Sequence, residues 1–285
     1  MTILAALQNA SHALTRSASA QLDAQVLLGF AMQKPTAWLF THSDWEVGRA
    51  EPLFNDLLNR RGNGEPIAYL TGEKEFFGRP FAVTKDVLIP RPDTETLVER
   101  AIALSDSTTM FMDIGTGSGA IAVTLAAETG HPVTAIDASP EALDIARQNA
   151  AVNGVADRIS FFESNLLESH FPVQTPNLGV SARIILCANL PYLTSRQMAE
   201  APPELRYEPY QALWGGEDGL DWYWLLLRQI RRQRTSLPHT LTCLLEIDPD
   251  QAEPIQRLAR TILPGAQVFI LDDLSQQARV VEMRV

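Results

Sequence analysis

The sequence predicts an α/β protein: a mostly parallel sheet with helices on both faces, preceded by a small helical domain. Three observations carry that reading. After Pro92, apolar strand-like runs alternate with helix-like segments. The first of those runs leads into the glycine-rich turn Gly115-Thr116-Gly117-Ser118-Gly119. Residues 1–62, by contrast, place their apolar side chains at helical spacing.

The bounds agree. With 285 residues the chain has room for one large domain, or for one of ordinary size beside a smaller one. Hydrophobic residues make up 46% and charged residues 20%, the balance of a well-packed soluble globule. A net charge of −11 is a poor footprint for a polyphosphate partner. The dense cluster Arg228, Arg231, Arg232 and Arg234 reads as a solvated helix face with C-terminal charges. The two cysteines, Cys187 and Cys243, sit singly inside apolar runs and make neither a disulfide framework nor a zinc site. No secretory leader is evident, and no apolar stretch approaches the ~18 residues needed to span a bilayer. The expectation is a cytoplasmic enzyme without a metal.

In chain order, Leu4 and Leu7 mark a first helix, Leu22, Val26, Leu27 and Phe30 a second, and Leu53, Phe54, Leu57 and Leu58 another. Gly62-Asn63-Gly64 stops the last. From Glu65 to Pro90 the pattern turns extended, as in a hairpin-like connector. Strands then fall at Met110–Ile114, Val133–Ile136, Ile159–Phe162, Arg183–Ala188, Leu241–Ile247, Gln267–Leu271 and Ala278–Met283. Ala120–Glu128 is a helix of small residues, and Ser139-Pro140-Glu141 opens another with a cap, a proline at its first position and an acid in its first turn. The division expected is 1–72 helical, 73–90 connector and 91–285 α/β domain.

The chemistry starts at the glycine turn. Its glycines let the backbone turn sharply and approach a ligand with no Cβ in the way, at the strand ends where such sheets bind ligands. Asp137 ends the next strand, where a carboxylate can accept both ribose hydroxyls of a nucleoside. The glycines are strictly alternate and follow Asp113, unlike the Gly-x-Gly-x-x-Gly dinucleotide fingerprint. Alternate glycines after an acid resemble the S-adenosylmethionine turn of Rossmann-like methyltransferases, and an acidic setting suits that cationic cofactor.

Asn189-Leu190-Pro191-Tyr192 ends a later apolar run. The Asn189 carboxamide oxygen and the Leu190 carbonyl can accept the two N–H hydrogens of a planar amino group. This aims its lone pair at a methyl donor and favours the nitrogen as it becomes tetrahedral. Tyr192 can stack on the planar group, while Pro191 restrains Leu190. The plainer reading of these four residues is a strand-to-loop turn with Tyr192 in the core.

Nearly the whole chain resembles the bacterial release-factor glutamine methyltransferases. The resemblance includes Glu65-Pro66-Ile67-Ala68-Tyr69-Leu70-Thr71-Gly72 and Glu75-Phe76-Phe77-Gly78. Most specific is Leu88-Ile89-Pro90-Arg91-Pro92-Asp93-Thr94-Glu95, and the glycine turn, Tyr207-Glu208-Pro209 and Gly219-Leu220-Asp221 follow. It implies a Rossmann-like class I S-adenosylmethionine methyltransferase sheet that N5-methylates the glutamine of a Gly-Gly-Gln tripeptide, with a small N-terminal domain contacting the release factor. By resemblance, Asp113, Gly115, Thr116, Gly117, Ser118, Gly119, Asp137, Asn165, Leu166 and Asn189 contact the cofactor. Asn189, Leu190, Pro191 and Tyr192 hold the glutamine, with Asn189, Pro191 and Tyr192 catalytic.

Four positions depart from the family pattern. Leu190 replaces a proline, Asn165 stands where an aspartate commonly meets the adenine amine, Leu166 offers that ring only apolar packing, and Asp248 replaces a glycine after Glu246-Ile247. The other acceptors open to such a site are a ribosomal-protein glutamine or a flipped adenine or guanine, and a binder without turnover is a further reading. The expected partner is the release factor, approached by a monomer with neither membrane nor nucleic acid involved.

Overall fold

The computed structural model describes residues 1–15, 17–168, 183–235, 237 and 240–285. The chain divides into two compact units, one of residues 1–73 with 201–207, the other of residues 74–200 with 208–285.

The first unit is helical: α1 (Ile3–Ala13), α2 (Ala20–Met32), α3 (Thr36–Thr41), α4 (Glu51–Gly62) and α5 (Ile67–Thr71). Thr2 caps α1, its hydroxyl accepting from the Ala5 N–H at 3.3 Å. The core gathers Ile3, Ala6, Ala24, Leu27, Leu28, Leu39, Phe54 and Leu57. The helices form where the spacing predicts, but turned differently. Leu22 and Phe30 of α2, Leu4 of α1 and Leu53 of α4 face solvent, while Ala24, Leu28 and Ile3 point inward. One charged side chain is buried there too. Asp23 accepts from the Ser17 hydroxyl at 2.6 Å and the Ser19 hydroxyl at 2.9 Å. The Arg61 Nε donates to it at 2.7 Å. Both carboxylate oxygens are therefore satisfied.

The second unit opens with a two-stranded ribbon, β1 (Glu73–Phe76) and β2 (Arg79–Ala82), turned by Phe77 and Gly78 at positive φ. The Glu95 carboxylate accepts the Phe77 N–H at 2.9 Å and holds that turn. Then come α6 (Thr94–Leu104), β3 (Thr109–Ile114), α7 (Ala120–Thr129), β4 (Val133–Asp137), α8 (Pro140–Val152), β5 (Ile159–Glu163), β6 (Arg183–Ala188) and α9 (Ser195–Glu200). They are followed by α10 (Asp221–Gln233), β7 (Thr240–Glu246), α11 (Ala252–Ile262), β8 (Gln267–Asp272) and β9 (Ala278–Arg284).

Seven strands form one sheet in the order β5-β4-β3-β6-β7-β9-β8. The pairs from β5 to β7 are parallel, and β9 is antiparallel to both neighbours. Both faces are covered, with Leu97, Val98, Ile121 and Leu125 on one core and Tyr223, Leu226, Ile230 and Ile255 on the other. That explains why β3 and β6 read as unbroken apolar runs rather than alternating ones. The chain winds outward from β3 to β4 and β5, then returns to lay β6 against the other side of β3. The strand order reverses there, and the C-terminal ends of β3 and β6 flank the crevice in which sheets of this kind bind ligands. Cys187 and Cys243 are buried and free.

Candidate active site

Each strand of this half-sheet delivers one feature to the crevice. After β3 the chain turns through Gly115, Gly117 and Gly119, all at positive φ. The Gly115 and Thr116 N–H groups both donate to the Ile136 carbonyl, at 2.8 and 2.9 Å, which ties the turn to β4. Each glycine has its own reason. A Cβ on Gly115 would come within 3.1 Å of Leu190, and one on Gly119 would press on Ala146 of α8. At Gly117 a Cβ would meet nothing within 4 Å, so this edge of the backbone lies open to a ligand.

Asp137, ending β4, is held by both oxygens. Oδ2 accepts the Gly117 N–H at 2.8 Å and Oδ1 the Ser139 N–H at 3.0 Å. Burial pushes its carboxyl above the usual carboxylate range, against the pull of these amides. Each oxygen keeps a lone pair for an incoming hydroxyl. After β5, Leu166 adopts φ 54, a conformation costly for a side chain of this kind. Gln229 of α10 pins that turn. Its Oε1 accepts the Leu167 N–H at 2.7 Å and its Nε2 reaches the Asn165 carbonyl at 3.3 Å.

After β6, the Asn189 Nδ2 donates to the Thr94 hydroxyl at 3.1 Å, leaving the carboxamide oxygen without a protein partner among the described residues. The buried Tyr223 hydroxyl lies 3.3 Å from the Leu190 carbonyl, but its one hydrogen goes to the shorter contact with the Glu246 carbonyl. The Leu190 carbonyl therefore keeps lone-pair capacity for a ligand N–H. Leu190 packs over Gly115.

Together these ends line a cavity of ≈ 380 Å³, of the size that takes a nucleoside-sized ligand. Gly115, Thr116, Gly117, Ser118, Asp137, Asn165, Leu166, Asn189, Leu190 and Pro191 all line it. Asp113, Gly119 and Tyr192 are not among its lining residues. Asp113 is fully buried, its Oδ2 accepting from the Thr116 hydroxyl at 2.6 Å and the Ala122 N–H at 3.1 Å. It braces the turn from beneath. Its Oδ1 is buried without a partner among the described residues, and burial raises its carboxyl to about 7.

The sequence reading missed several residues. Thr94 and Arg91, at the start of α6, line the cavity, as do Trp222 and Leu88. Glu246, ending β7, is fully buried, with neither oxygen in hydrogen-bond geometry to another described residue. Burial raises it to about 7, and the Thr94 and Tyr192 hydroxyls and the Arg279 guanidinium are its polar neighbours. Asp248, unexplained by sequence, is a cap. It accepts the Asp250 N–H and the Gln197 Nε2, and forms a capping box with Gln251. Gln251 in turn donates to the Tyr192 carbonyl at 2.9 Å, steadying the loop after β6.

The apolar slot, the open glycine edge and the anchored Asp137 carboxylate fit a nucleoside with an amino-acid tail. Fold and site define an S-adenosylmethionine-dependent Rossmann-like methyltransferase. The chain is 36% identical to the release factor glutamine methyltransferase of Koribacter versatilis over 85% of its own length and 84% of that protein. With the Bacillus subtilis protein of the same name it shares 33% over 98% and 96%. It belongs to the release factor glutamine methyltransferase family. Residues 5–72 match the PrmC N-terminal domain and residues 111–205 a methyltransferase domain. A bifunctional methyltransferase of Rickettsia felis is 36% identical over 75% of the chain, which spans 45% of that longer protein. The fold also matches the human METTL16 catalytic domain solved with a MAT2A 3′UTR hairpin, with a TM-score of 0.59 and 15% identity, covering 78% of this chain and 82% of that one.

Proposed function

We propose that the chain transfers a methyl group from S-adenosylmethionine to the N5 nitrogen of a glutamine side chain, the glutamine of the Gly-Gly-Gln motif in peptide chain release factors. The observation that carries this reading is the Asn189 carboxamide. Thr94 fixes its NH2 end, so its oxygen is presented as an acceptor beside the glycine turn. With the Leu190 carbonyl it can take both N–H hydrogens of a primary amide.

The cofactor, when bound, supplies an electrophilic methyl on a sulfonium with a neutral thioether as leaving group. The protein's part is to make a poor nucleophile competent. Two fixed acceptors orient the amide plane and stabilise positive charge as the nitrogen loses conjugation. With the methyl supplied in that way, the amide nitrogen would be left to give up a proton to water. We read residues 1–72 as the part that recognises the release factor, supported by the family match there and by exposed Leu22, Phe30, Phe40 and Trp45. The acting species in this reading is a cytoplasmic monomer. Incubation with labelled cofactor and unmethylated release factor, followed by mass spectrometry of the Gly-Gly-Gln peptide, tests it. A ribosomal-protein glutamine or a DNA base labelled in its place would move the acceptor.

A further inference from the structure

A carboxamide has nearly the same shape at both ends, so its neighbours decide which end it presents. The Asn189 NH2 donates to the Thr94 Oγ1 at 3.1 Å, which makes that hydroxyl an acceptor. The hydroxyl's own hydrogen is left for a second acceptor, and the Glu246 carboxylate is beside it. We infer, resting on the amide-methylation reading of this site, that Glu246 is a positioning residue: by taking the Thr94 hydroxyl hydrogen, its carboxylate fixes the end of Asn189 that faces the acceptor.

The sheet brings the two residues together. In the parallel register of β6 and β7, Ala188 lies opposite Leu245, so Asn189 and Glu246 are next in line at neighbouring strand ends. Thr94, opening α6, meets both of them. Glu246 is fully buried, and among the described residues neither oxygen has a partner in hydrogen-bond geometry. A buried carboxylate is costly unless donors meet it. The charged groups around it are committed elsewhere, Arg279 holding Asp273 at 3.1 Å and Asp93 at 3.2 Å. The Thr94 and Tyr192 hydroxyls remain, and a hydroxyl hydrogen rotates to suit its acceptor.

The two senses of this chain are not equivalent. With Glu246 ionised, both bonds point toward the acid, from the Asn189 NH2 to Thr94 and from the Thr94 hydroxyl to the carboxylate. The carboxamide then offers its oxygen to the cavity, and donation from its nitrogen strengthens that oxygen as an acceptor. With Glu246 protonated, the acid can donate to Thr94, and Thr94 to the carboxamide oxygen. The Asn189 NH2 would then face the N–H hydrogens of the incoming amide, donor against donor. Burial raises Glu246 to about 7, against the Thr94 and Tyr192 hydroxyls and Arg279 and with the help of Asp93, so the sense can change near neutral pH. Around Tyr192 stand Arg91 and Asp248 as well.

The test is single-turnover methylation of unmethylated release factor by the full chain across pH, beside calorimetric binding of S-adenosylhomocysteine. The parent rate should rise as pH passes about 7 and then level off. Glu246→Gln keeps the buried volume but cannot ionise. It should lower the plateau about 10- to 100-fold, abolish the rise, and leave S-adenosylhomocysteine affinity within about twofold. Glu246→Asp should restore part of the rate together with the rise. Thr94→Val added to Glu246→Gln should cost little more than the larger single loss, because both act through Asn189. A parent-like rate and pH profile in Glu246→Gln, or fully additive losses, would overturn the inference. So would a matching loss of cofactor affinity, which would make Glu246 a brace of the fold. A parent that binds S-adenosylhomocysteine but labels no glutamine would overturn the amide-methylation reading, and the inference with it.

Discussion

The two units bury carboxylates to different ends. In the helical unit Asp23 is ringed by Ser17, Ser19 and Arg61, with both oxygens satisfied. In the α/β unit Asp113 and Glu246 are at least as deeply buried, yet among the described residues three of their four oxygens have no partner. A satisfied buried ion holds a fold together, whereas an unsatisfied one costs stability and is tolerated where the surrounding structure over-determines it. Both of the latter stand under the loops that shape the cavity, one beneath the glycine turn and one beside Thr94 and Tyr192. Exposed apolar side chains draw no such line: the helical unit leaves Leu22, Phe40 and Trp45 more than half exposed, at 57%, 59% and 56%, and the α/β unit does the same with Val152, Tyr210 and Leu274. One unit keeps its buried acid paired, and the other keeps unpaired acids at its site.

The largest effect that would sharpen this contrast is at Asn189. Asn189→Ala should lower single-turnover methylation about 10²- to 10³-fold while most S-adenosylhomocysteine affinity survives, since the glycine turn and Asp137 remain. A parent-like rate would remove the carboxamide from the chemistry. Next is Arg61→Ala, which strands Asp23 and should destabilise the helical unit by about 3 kcal/mol. Hydrogen exchange should show the loss in α2 and α4, with cofactor binding by the α/β unit preserved. A loss of cofactor affinity instead would break the separation drawn here.

Much of this was legible beforehand, for a physical reason. Strands covered on both faces must be apolar throughout, so β3 and β6 announce themselves as runs, and the glycine turn and the Ser139-Pro140 cap punctuate them locally. The faces of α1 and α2 were not. Both sides of α2 carry apolar residues, so helical spacing alone cannot say that Leu28 packs while Leu22 faces solvent. Thr94 and Asn189 meet across 95 residues, and no spacing rule reaches that far. Asp248 looked like an unexplained substitution until its capping of Gln251 came into view.

The pH dependence follows from the unpaired acids. Burial holds Asp113 and Glu246 protonated to about 7 in the folded chain, against ordinary values near 4 when unfolded. The folded form therefore binds extra protons between those limits. Their contribution to stability is full at low pH and is lost as pH rises through about 7. Chemical denaturation of the ligand-free protein at pH 5 and pH 8 should show this as a fall of a few kcal/mol, on the order expected for shifts of this size. Asp113→Asn or Glu246→Gln should each flatten it. An unchanged slope in both would mean these carboxyls are better solvated than their burial implies.

Smaller effects separate shape from hydrogen bonding. Thr94→Val keeps the volume but removes the acceptor for Asn189, and should cost about 10-fold in turnover, with Thr94→Ser recovering most of it. Smallest in stability is Phe40→Ser on the helical surface, within about 0.5 kcal/mol of the parent by denaturation. It should nonetheless raise KM for release factor, and an unchanged KM would leave that exposed surface without the role proposed.

The cavity, as we propose, methylates the glutamine of Gly-Gly-Gln. The most direct test offers labelled S-adenosylmethionine with unmethylated release factor, a ribosomal protein and unmethylated DNA side by side, and locates the mark by mass spectrometry. A methyl group on that glutamine is the predicted result. Label confined to another acceptor, or none despite intact cofactor binding, would contradict it.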